Sequence, residues 1–342
     1  MTIKVLIIDD SAIVRNVLSK ELSLDPEIEV VGIASDPIIG RDKIVQLRPD
    51  VITLDIEMPR MDGLQFLEKL MKHYPMPVIV VSSLGKAGGE VALRAIELGA
   101  VEFVTKPGSA YSVGDMADQL VDKIKAAAAV KTFKTVSFCP HSGGGTKALA
   151  VKATKKIIAI GASTGGTEAL KEILVKMPVN APAMVIVQHM PQSFTKAFAT
   201  RLNGVCKIEV KEAEHGEYLS VGKALIAPGN FHMEIERSGS DYFVKLNSDP
   251  MVHHQRPAVD ILFNSVAKMA GKNAVGCVLT GMGKDGAAGL LNMKNAGANT
   301  VVQDEKTCVV FGMPKEAIAR GAVTVVKPLN LISETIIDFA NK

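Results

Sequence analysis

The sequence contains no tryptophan, few other aromatic residues, and only four cysteines, which are scattered along the chain. Because no C-x-x-C pair occurs, neither a disulfide framework nor a zinc site is indicated, and a reducing compartment is expected. No basic cluster alternates with aromatic residues, which argues against nucleic-acid binding. No apolar run approaches the roughly 18 residues of a membrane span, so the protein is predicted not to be membrane-inserted and to be cytoplasmic.

The residues that are present are typical of a soluble globular protein. A chain of 342 residues with 47% hydrophobic and 22% charged residues is long and apolar enough for two domains. The net charge of +3 conceals an asymmetry: residues 1–125 contain 14 Lys and Arg against 19 Asp and Glu, and the remainder contains 25 against 17. The acidic first part directs attention to its carboxylates.

The first 125 residues alternate strand-like and helix-like patterns. The strand-like runs are "IKVLIID", "IEVVGIA", "DVITLDI", "PVIVVSS" and "VEFVTKP". Helical spacing follows each of them, over Ile13–Leu24, Pro37–Leu47, Leu64–His73, Gly89–Leu98 and Val113–Ala128. Five successive βα units predict a parallel sheet with helices on both faces, which is a doubly wound α/β domain.

This alternation stops and later resumes. Lys131 to Lys156 lacks periodicity, contains a glycine triplet and carries lysines without any Asp or Glu. We therefore predict a first α/β domain at 1–125, an interdomain linker at 126–154 and a second α/β domain at 155–342. Apolar residues within the linker, such as Phe133 and Phe138, suggest that part of it packs.

The second domain is predicted to be a further parallel α/β sheet of the Rossmann-like kind. Its strand-like runs are "KIIAIGA", "AMVIVQ", "CKIEV", "KALIAPG", "HMEIE", "YFVKL", "AVGCVLT", "NTVVQ" and "AVTVV". Its predicted helices are Thr167–Val175, Thr195–Leu202, Ala258–Ala270, Ala287–Ala296 and Leu329–Asn341. The stretch from Gly222 to Asn247 is interpreted as a β-hairpin or meander inserted in this domain.

Polar side chains stand at the ends of several strands of the first domain. Asp9 and Asp10 follow the first strand, Asp55 ends the third, Ser82 ends the fourth and Lys106 ends the fifth. The carboxyl ends of parallel strands share one crevice, where clustered carboxylates suit Mg²⁺. Singly, each residue has an ordinary explanation as a helix cap, turn or surface residue. Together they favour a site at which a carboxylate accepts a phosphoryl group.

The segments "IIDDSAIVR", "VITLDIEMPRMDGLQFLEKL", "VIVVSS" and "GAVEFVTKP" resemble a two-component receiver domain, of flavodoxin-like fold, over residues 1–125. The resemblance implies Asp55 as the phosphoacceptor. It implies a Mg²⁺ site formed by Asp9, Asp10, Asp55 and the backbone carbonyl of Glu57. It implies phosphoryl-sensing roles for Ser82 and Lys106, and for Phe103 as the aromatic residue that reorients on activation.

The stretch "GASTG" contains Ser163 in a G-x-S-x-G pattern between a predicted strand and a predicted helix. This pattern can present a nucleophilic serine on a sharp turn, and its glycines can also form a phosphate-binding loop. A nucleotide site is the weaker interpretation, because G-x-G-x-x-G, a Walker lysine and an acidic residue about 20 positions later are all missing. A serine nucleophile needs a nearby base.

His189 and Asp285 are the candidate partners of Ser163. Of the seven histidines, His189 best meets the requirement for a base at the carboxyl end of a strand, because it directly follows the apolar strand-like run "AMVIVQ". Asp285 follows the glycine-rich "LTGMGK", although an aspartate before Gly286 could equally cap the next helix. Gly281 and Gly283 suggest backbone approaching a substrate oxygen, reached by the N–H of Met282. The chain order Ser, His, Asp differs from that of the α/β-hydrolases.

The motifs "IGASTGGTEAL", "VQHMP", "APGNFHM", "HHQRPAVDILFNSVA" and "LTGMGKDGAAGL" resemble the catalytic domain of chemotaxis-specific protein-glutamate methylesterases, which also deamidate glutamines. The resemblance implies Ser163 as nucleophile, His189 as base and Asp285 as the residue that orients it. It implies an oxyanion hole formed by the backbone amides of Thr164 and Met282, and no cofactor at this site.

With a receiver attached, the resemblance implies a phosphorylation-activated hydrolase that acts in chemotactic adaptation. Its expected partners are the cytoplasmic domains of methylated chemoreceptors as substrates and a chemotaxis histidine kinase as phosphodonor. We expect the unphosphorylated receiver to cover the Ser163 face and phosphorylation of Asp55 to loosen that contact. Two alternatives stay open: a non-catalytic adaptor under receiver control, and a hydrolase of small-molecule esters.

Overall fold

The chain divides into two units, with the division near residue 142. The computed structural model describes residues 2–58, 61–82, 88–106, 113–130 and 156–342. Residues 131–155, which include most of the predicted linker, lie outside the described residues, so the linker's ends stay predictions. Among the helices described, none is long and apolar enough to cross a membrane.

The first unit is a five-stranded parallel sheet with the strand order β2-β1-β3-β4-β5. Its elements in chain order are β1 (Ile3–Ile8), α1 (Ala12–Leu22), β2 (Ile28–Ala34), α2 (Pro37–Leu47), β3 (Val51–Asp55), α3 (Gly63–His73), β4 (Val78–Ser82), α4 (Gly88–Glu97), β5 (Glu102–Thr105) and α5 (Val113–Ala128). All four strand pairs are parallel. The predicted doubly wound, flavodoxin-like sheet is confirmed.

The sequence of this unit explains both its strands and the loops that follow them. Every residue of β3 and β4 is buried, as expected of apolar runs in a parallel sheet that is covered on both faces. Asp36 and Asp62 are the N-cap residues of α2 and α3, and their side chains accept hydrogen bonds from backbone N–H groups of the first turn. Each cap therefore satisfies backbone N–H groups at the start of its helix.

The second unit is a seven-stranded parallel sheet with the order β14-β13-β12-β6-β7-β9-β8, and a separate two-stranded sheet. Its elements are β6 (Ile157–Ala162), α6 (Gly166–Leu174), β7 (Ala183–Gln188), α7 (Gln192–Asn203), β8 (Glu209–Glu212), β9 (Lys223–Ile226), β10 (His232–Ser238), β11 (Asp241–Asn247), α8 (Val259–Met269), β12 (Ala274–Val278), α9 (Ala287–Asn295), β13 (Asn299–Gln303), α10 (Met313–Ala319), β14 (Val325–Lys327) and α11 (Leu329–Asn341). The predicted Rossmann-like parallel sheet is confirmed.

The inserted hairpin is shorter than predicted. Strands β10 and β11 pair antiparallel, but β9 joins the main sheet between β7 and β8. The reason is burial: β9 has a continuous buried run, whereas β10 and β11 alternate buried and more exposed residues as a one-sided ribbon does. Helix α10 was not predicted, because seven residues are too few to show helical periodicity.

Strand β6 lies at the point where the winding of the second sheet reverses. The chain continues from β6 to β7 on one side and later returns to β12 on the other. Every residue of these three strands is buried. In open parallel sheets, ligands bind beyond the carboxyl ends of strands at such a reversal. Ser163 follows β6 directly, and His189 follows β7 directly.

Candidate functional site

The described residues contain two clusters of chemical groups, one at the carboxyl edge of each sheet. In the first unit, Lys106 contacts two of the three predicted aspartates: its Nζ lies 2.8 Å from Asp55 Oδ2 and 3.0 Å from Asp9 Oδ2. The side chains of Asp9 and Asp55 are 2% and 1% exposed, and that of Lys106 is 21% exposed. Lys106 is therefore an internal counter-ion and not a surface lysine.

Burial dominates the electrostatics of this cluster. It raises the pKa of Asp55 to about 6, against the hydrogen bond and charge of Lys106, and the neighbouring Asp9 raises it further. Burial alone would lower the pKa of Lys106, but its hydrogen bond to Asp55 and its ion pair with Asp9 outweigh this and raise it. One lysine thus faces more negative charge than it neutralises.

The remaining predicted residues of the first cluster lie around these two aspartates. Carboxylate oxygens of Asp9, Asp10 and Asp55 lie within 4.8 Å of one another. The Glu57 N–H donates to Asp55 Oδ1 at 3.2 Å. Ser82 is 1% exposed, and its carbonyl accepts from the N–H of Lys106 at 2.7 Å. This set of hard oxygen ligands with excess negative charge fits Mg²⁺.

Phe103 and Arg15 complete the surroundings of the acidic cluster. Phe103 is 2% exposed in β5, with the Nζ of Lys123 5.4 Å from its ring centroid. Arg15 was missed by the sequence analysis. Its Nη1 donates to the carbonyls of Asp9 and Asp10 at 2.7 and 2.9 Å and so fixes the acidic loop. A basic residue one turn into the helix after an Asp-Asp pair is the signal that was available.

In the second unit, Ser163 occupies a tightly hydrogen-bonded turn between β6 and α6. Its N–H donates to the carbonyl of Thr280 at 3.0 Å, and its own carbonyl accepts from the N–H of Gly166 at 2.7 Å. Gly165, with φ +77°, makes the turn possible, because a side chain there would be strained and would meet Val309. The hydroxyl of Ser163 makes no hydrogen bond to any other described residue.

His189 and Asp285 form a buried hydrogen-bonded pair. His189 Nε2 lies 2.8 Å from Asp285 Oδ2, and the two side chains are 6% and 3% exposed. Because Nε2 faces the carboxylate, Nδ1 is the nitrogen left for another partner. The structure thus joins two of the three predicted residues directly. It holds the third nearby through the adjacent strands, since the His189 N–H donates to the Ala162 carbonyl at 3.1 Å.

Asp285 caps a helix other than the one its sequence neighbours suggest. Helix α9 begins after Gly286 without a side-chain cap, whereas the carboxylate of Asp285 accepts the N–H groups of Val259 and Asp260 at 2.7 and 2.9 Å, in the first turn of α8. Burial would raise the pKa of Asp285. The hydrogen bond and charge of His189, with the two backbone donors, outweigh burial and hold that pKa below its ordinary value.

The two predicted oxyanion donors are the backbone N–H groups of Thr164 and Met282. Among the described residues, neither the N–H of Thr164 nor that of Met282 donates a hydrogen bond. Gly281 brings the Met282 segment against Ser163, because a Cβ built on Gly281 would lie 2.6 Å from Ser163 Cβ. This approach requires glycine.

Two buried polar side chains that the sequence analysis did not single out support this site. Gln188 Nε2 donates to the carbonyls of Ser163 and His189 at 2.9 and 3.3 Å, so a single amide ties both segments together. Thr280 Oγ1 donates to the Thr164 carbonyl at 2.9 Å and accepts the N–H of Val310 at 2.9 Å. Each is a polar residue that ends an apolar strand-like run, which was the available signal.

The other motif histidines differ in their roles. His232 is fully buried, accepts the N–H of Ala258 at Nδ1 at 3.2 Å and lies 3.1 Å from the Pro250 carbonyl through Nε2, so it is structural. His253 pairs with Asp260 at 3.2 Å. His254 is exposed and makes no hydrogen bond among the described residues.

Comparison with known proteins gives matches to both units. The response regulator receiver domain family matches residues 5–117, and the CheB methylesterase family matches residues 158–336. The chain is 58% identical to a protein-glutamate methylesterase/protein-glutamine glutaminase of Syntrophus aciditrophicus, over 98% of each chain. It is 52% identical to one of Thiobacillus denitrificans, over 99% of this chain and 97% of that one. The crystal structure of the Thermotoga maritima CheB methylesterase catalytic domain covers 54% of this chain and 99% of its own, at 40% identity and a TM-score of 0.53.

Proposed function

Because this chain belongs to the CheB methylesterase family and carries an N-terminal receiver domain, we propose that it is a phosphorylation-activated enzyme of chemotactic adaptation. It hydrolyses glutamate methyl esters, and deamidates selected glutamines, on the cytoplasmic domains of chemoreceptors. The observation that carries the proposal is the buried His189–Asp285 pair beside the turn of Ser163.

The proposed reaction is acyl transfer through Ser163. Nδ1 of His189 accepts the hydroxyl proton while Ser163 Oγ attacks the γ-carbonyl carbon of the ester, and the Thr164 and Met282 N–H groups stabilise the oxyanion. The imidazolium then returns the proton to the leaving methoxide, so methanol departs and a glutamyl ester of Ser163 remains. Water, activated by the same imidazole, releases free glutamate; a glutamine substrate releases ammonia by the same steps.

Asp285 serves this reaction by holding the His189 ring. Its negative charge favours the imidazolium that forms in each transition state, and its bond to Nε2 leaves Nδ1 for proton transfer. The carboxylate is itself fixed by two backbone donors of α8, so its position does not depend on His189 alone.

For the receiver, we propose Asp55 as the acceptor of a phosphoryl group from a chemotaxis histidine kinase. Asp9, Asp10 and the Glu57 carbonyl would hold Mg²⁺, which supplies charge neutralisation for phosphoryl transfer. Lys106 already contacts Asp55 and would then bind a phosphoryl oxygen. Ser82 and Phe103 would respond to the phosphoryl group, and the response would relieve inhibition of the hydrolase.

Methanol release from methylated receptor, measured with and without a small-molecule phosphodonor, tests both parts. Ser163→Ala should abolish release, and Asp55→Ala should retain only the unstimulated rate. Ser240→Ala and Asp42→Ala are matched controls, since both residues are exposed. An adaptor without catalysis predicts no effect of Ser163→Ala on its role, and a small-molecule esterase predicts release from simple esters but not from receptor.

A further inference from the structure

A second histidine–aspartate pair lies behind the pair of His189 and Asp285. His253 Nε2 is 3.2 Å from Asp260 Oδ2, with the two side chains 33% and 8% exposed. The other carboxylate oxygen of Asp260 accepts the N–H of Gly289 at 2.6 Å. Asp260 therefore connects the turn that carries His253, the start of α8 and the first part of α9.

Asp260 is coupled to Asp285 both through the backbone and through charge. Its N–H donates to Asp285 Oδ1 at 2.9 Å, and the ionisable atoms of His253, Asp260 and Asp285 lie within 4.8 Å of one another. Burial, and to a smaller extent the charge of Asp285, raises the pKa of Asp260 against the hydrogen bond from Gly289. Two buried carboxylates thus lie side by side, and each has one imidazole partner.

The turn that presents His253 places two successive histidines at positive φ, which few residues other than glycine adopt. His253 and His254 have φ of 52° and 58°, and the N–H groups of Val252 and Gln255 each donate to the other residue's carbonyl, at 3.1 and 2.9 Å. Such two-residue turns with positive φ at both central positions normally contain Asn-Gly or Gly-Gly. At His253 the ring reaches Asp260, a contact that glycine at this position could not make.

We propose that His253 and Asp260 are positioning residues for the esterase triad. The negative charge of Asp260 acts on His189 through Asp285, and the contact with His253 sets how strongly the charge of Asp260 acts. The proposal rests on the Ser163 chemistry proposed above. The titratable groups that face Asp260 are His253, on the turn before α8, and Asp285, on the loop before α9; His189, beyond β7, faces Asp285.

The two positions should shift the pH profile in opposite directions. Asp260→Asn keeps an oxygen for Gly289 but removes a negative charge, so the His189 imidazolium loses support. The acidic limb of kcat/KM should move to lower pH by roughly half a unit, and kcat should fall roughly threefold to tenfold. His253→Gly removes the imidazole that hydrogen-bonds to Asp260, so the negative charge of Asp260 is less compensated and the acidic limb should move to higher pH by about a few tenths of a unit. Neither change should alter KM, since neither residue is placed against substrate.

The test uses the full chain and two independent readouts. The first is the pH dependence of kcat and KM for methanol release from methylated receptor, and the second is the titration midpoint of the His189 ring by NMR. His254→Gly is the matched control, because it relaxes the same turn without removing a contact to Asp260, and its profile should equal that of the wild type. Urea unfolding verifies that each variant folds.

Opposite shifts in Asp260→Asn and His253→Gly, in both readouts, support the inference. The inference is overturned if folded variants have unchanged pH profiles, or if both variants lose the same fraction of kcat without a shift of the acidic limb. If Asp260→Asn does not fold, the direction of the His253→Gly shift decides. Retention of methanol release by Ser163→Ala would contradict the proposed chemistry, whereas the His189 titration would still decide this inference.

Discussion

Replacement of Asp285 by asparagine tests the site most directly, because the change is nearly isosteric and every partner of the carboxylate is known. Oδ2 accepts from His189 Nε2 and the Val259 N–H, and Oδ1 accepts from the Asp260 N–H. An asparagine amide offers one acceptor and one donor. Whichever way it is oriented, its NH₂ group must face a backbone N–H of α8.

The orientation of the introduced amide decides which partner is lost. If its NH₂ group replaces Oδ1, it opposes the Asp260 N–H, and His189 keeps a neutral acceptor in place of a charge. If it replaces Oδ2, it opposes the Val259 N–H and favours the tautomer with the proton on Nδ1, which cannot accept a proton from Ser163. A buried donor left without a partner costs about 1–3 kcal/mol, so the free energy of unfolding should fall by that amount. The kcat should fall by about 10³- to 10⁴-fold, as a wrong tautomer and a lost charge do in serine triads.

The assay is methanol release under phosphodonor stimulation, together with urea unfolding of the same variant. Asp338→Asn, on the exposed face of α11, is the matched control: it removes one negative charge and should change neither measurement. An Asp285→Asn enzyme that is folded and retains more than about a tenth of wild-type kcat would refute the assignment of Asp285 as the residue that orients His189.

Two further predictions concern close packing and burial. Gly281→Ala places a methyl group 2.6 Å from Ser163 Cβ and should lower kcat by roughly 100-fold. The control is Gly204→Ala, at an exposed position without a neighbour closer than 3.5 Å, which should leave kcat unchanged. Equal kcat values for the two variants would contradict the close approach of Gly281 to Ser163. The pKa of Asp55 is raised from 3.8 to about 6, so the stability that this group contributes is full below about pH 4 and declines as the pH rises through about 6. Without Mg²⁺, Asp55→Asn should therefore raise the free energy of unfolding of the receiver by about 3 kcal/mol at about pH 7.5 and by less than about 1 kcal/mol near pH 4, as measured by urea denaturation; the same gain at both pH values would show that burial of the charge is not the cause.

The sequence was sufficient to predict what a parallel sheet determines. Residues that end its strands meet at one edge, so the proximity of Asp9, Asp55 and Lys106 follows from the positions of three apolar runs. The same argument placed Ser163 and His189 on neighbouring segments. No structure was needed for these predictions, because strand ends can be read from local patterns.

Long-range hydrogen bonds could not be predicted in this way. Local sequence made Asp285 a candidate cap for α9, but the carboxylate caps α8, whose first residue lies 26 positions earlier in the chain. The choice of Nε2 as the nitrogen that faces Asp285, and the double contact of Gln188, also depend on how loops from different strands pack. Strand β9 was wrongly assigned to the inserted hairpin. It pairs with β7 and β8, which both precede it in the chain, and not with β10, which follows it.

The arrangement of β7, β6 and β12 side by side explains why the three proposed catalytic residues occur along the chain as Ser163, His189 and Asp285. Ser163 comes first because the central strand, β6, precedes both of its neighbours in the chain. The chain then forms β7 on one side of β6 and later β12 on the other side, so His189 precedes Asp285. The sequence order is thus a record of how this sheet is wound. A circular permutation that opened the chain between β7 and β12 would change the order to Asp, Ser, His while leaving every neighbour relation at the site intact.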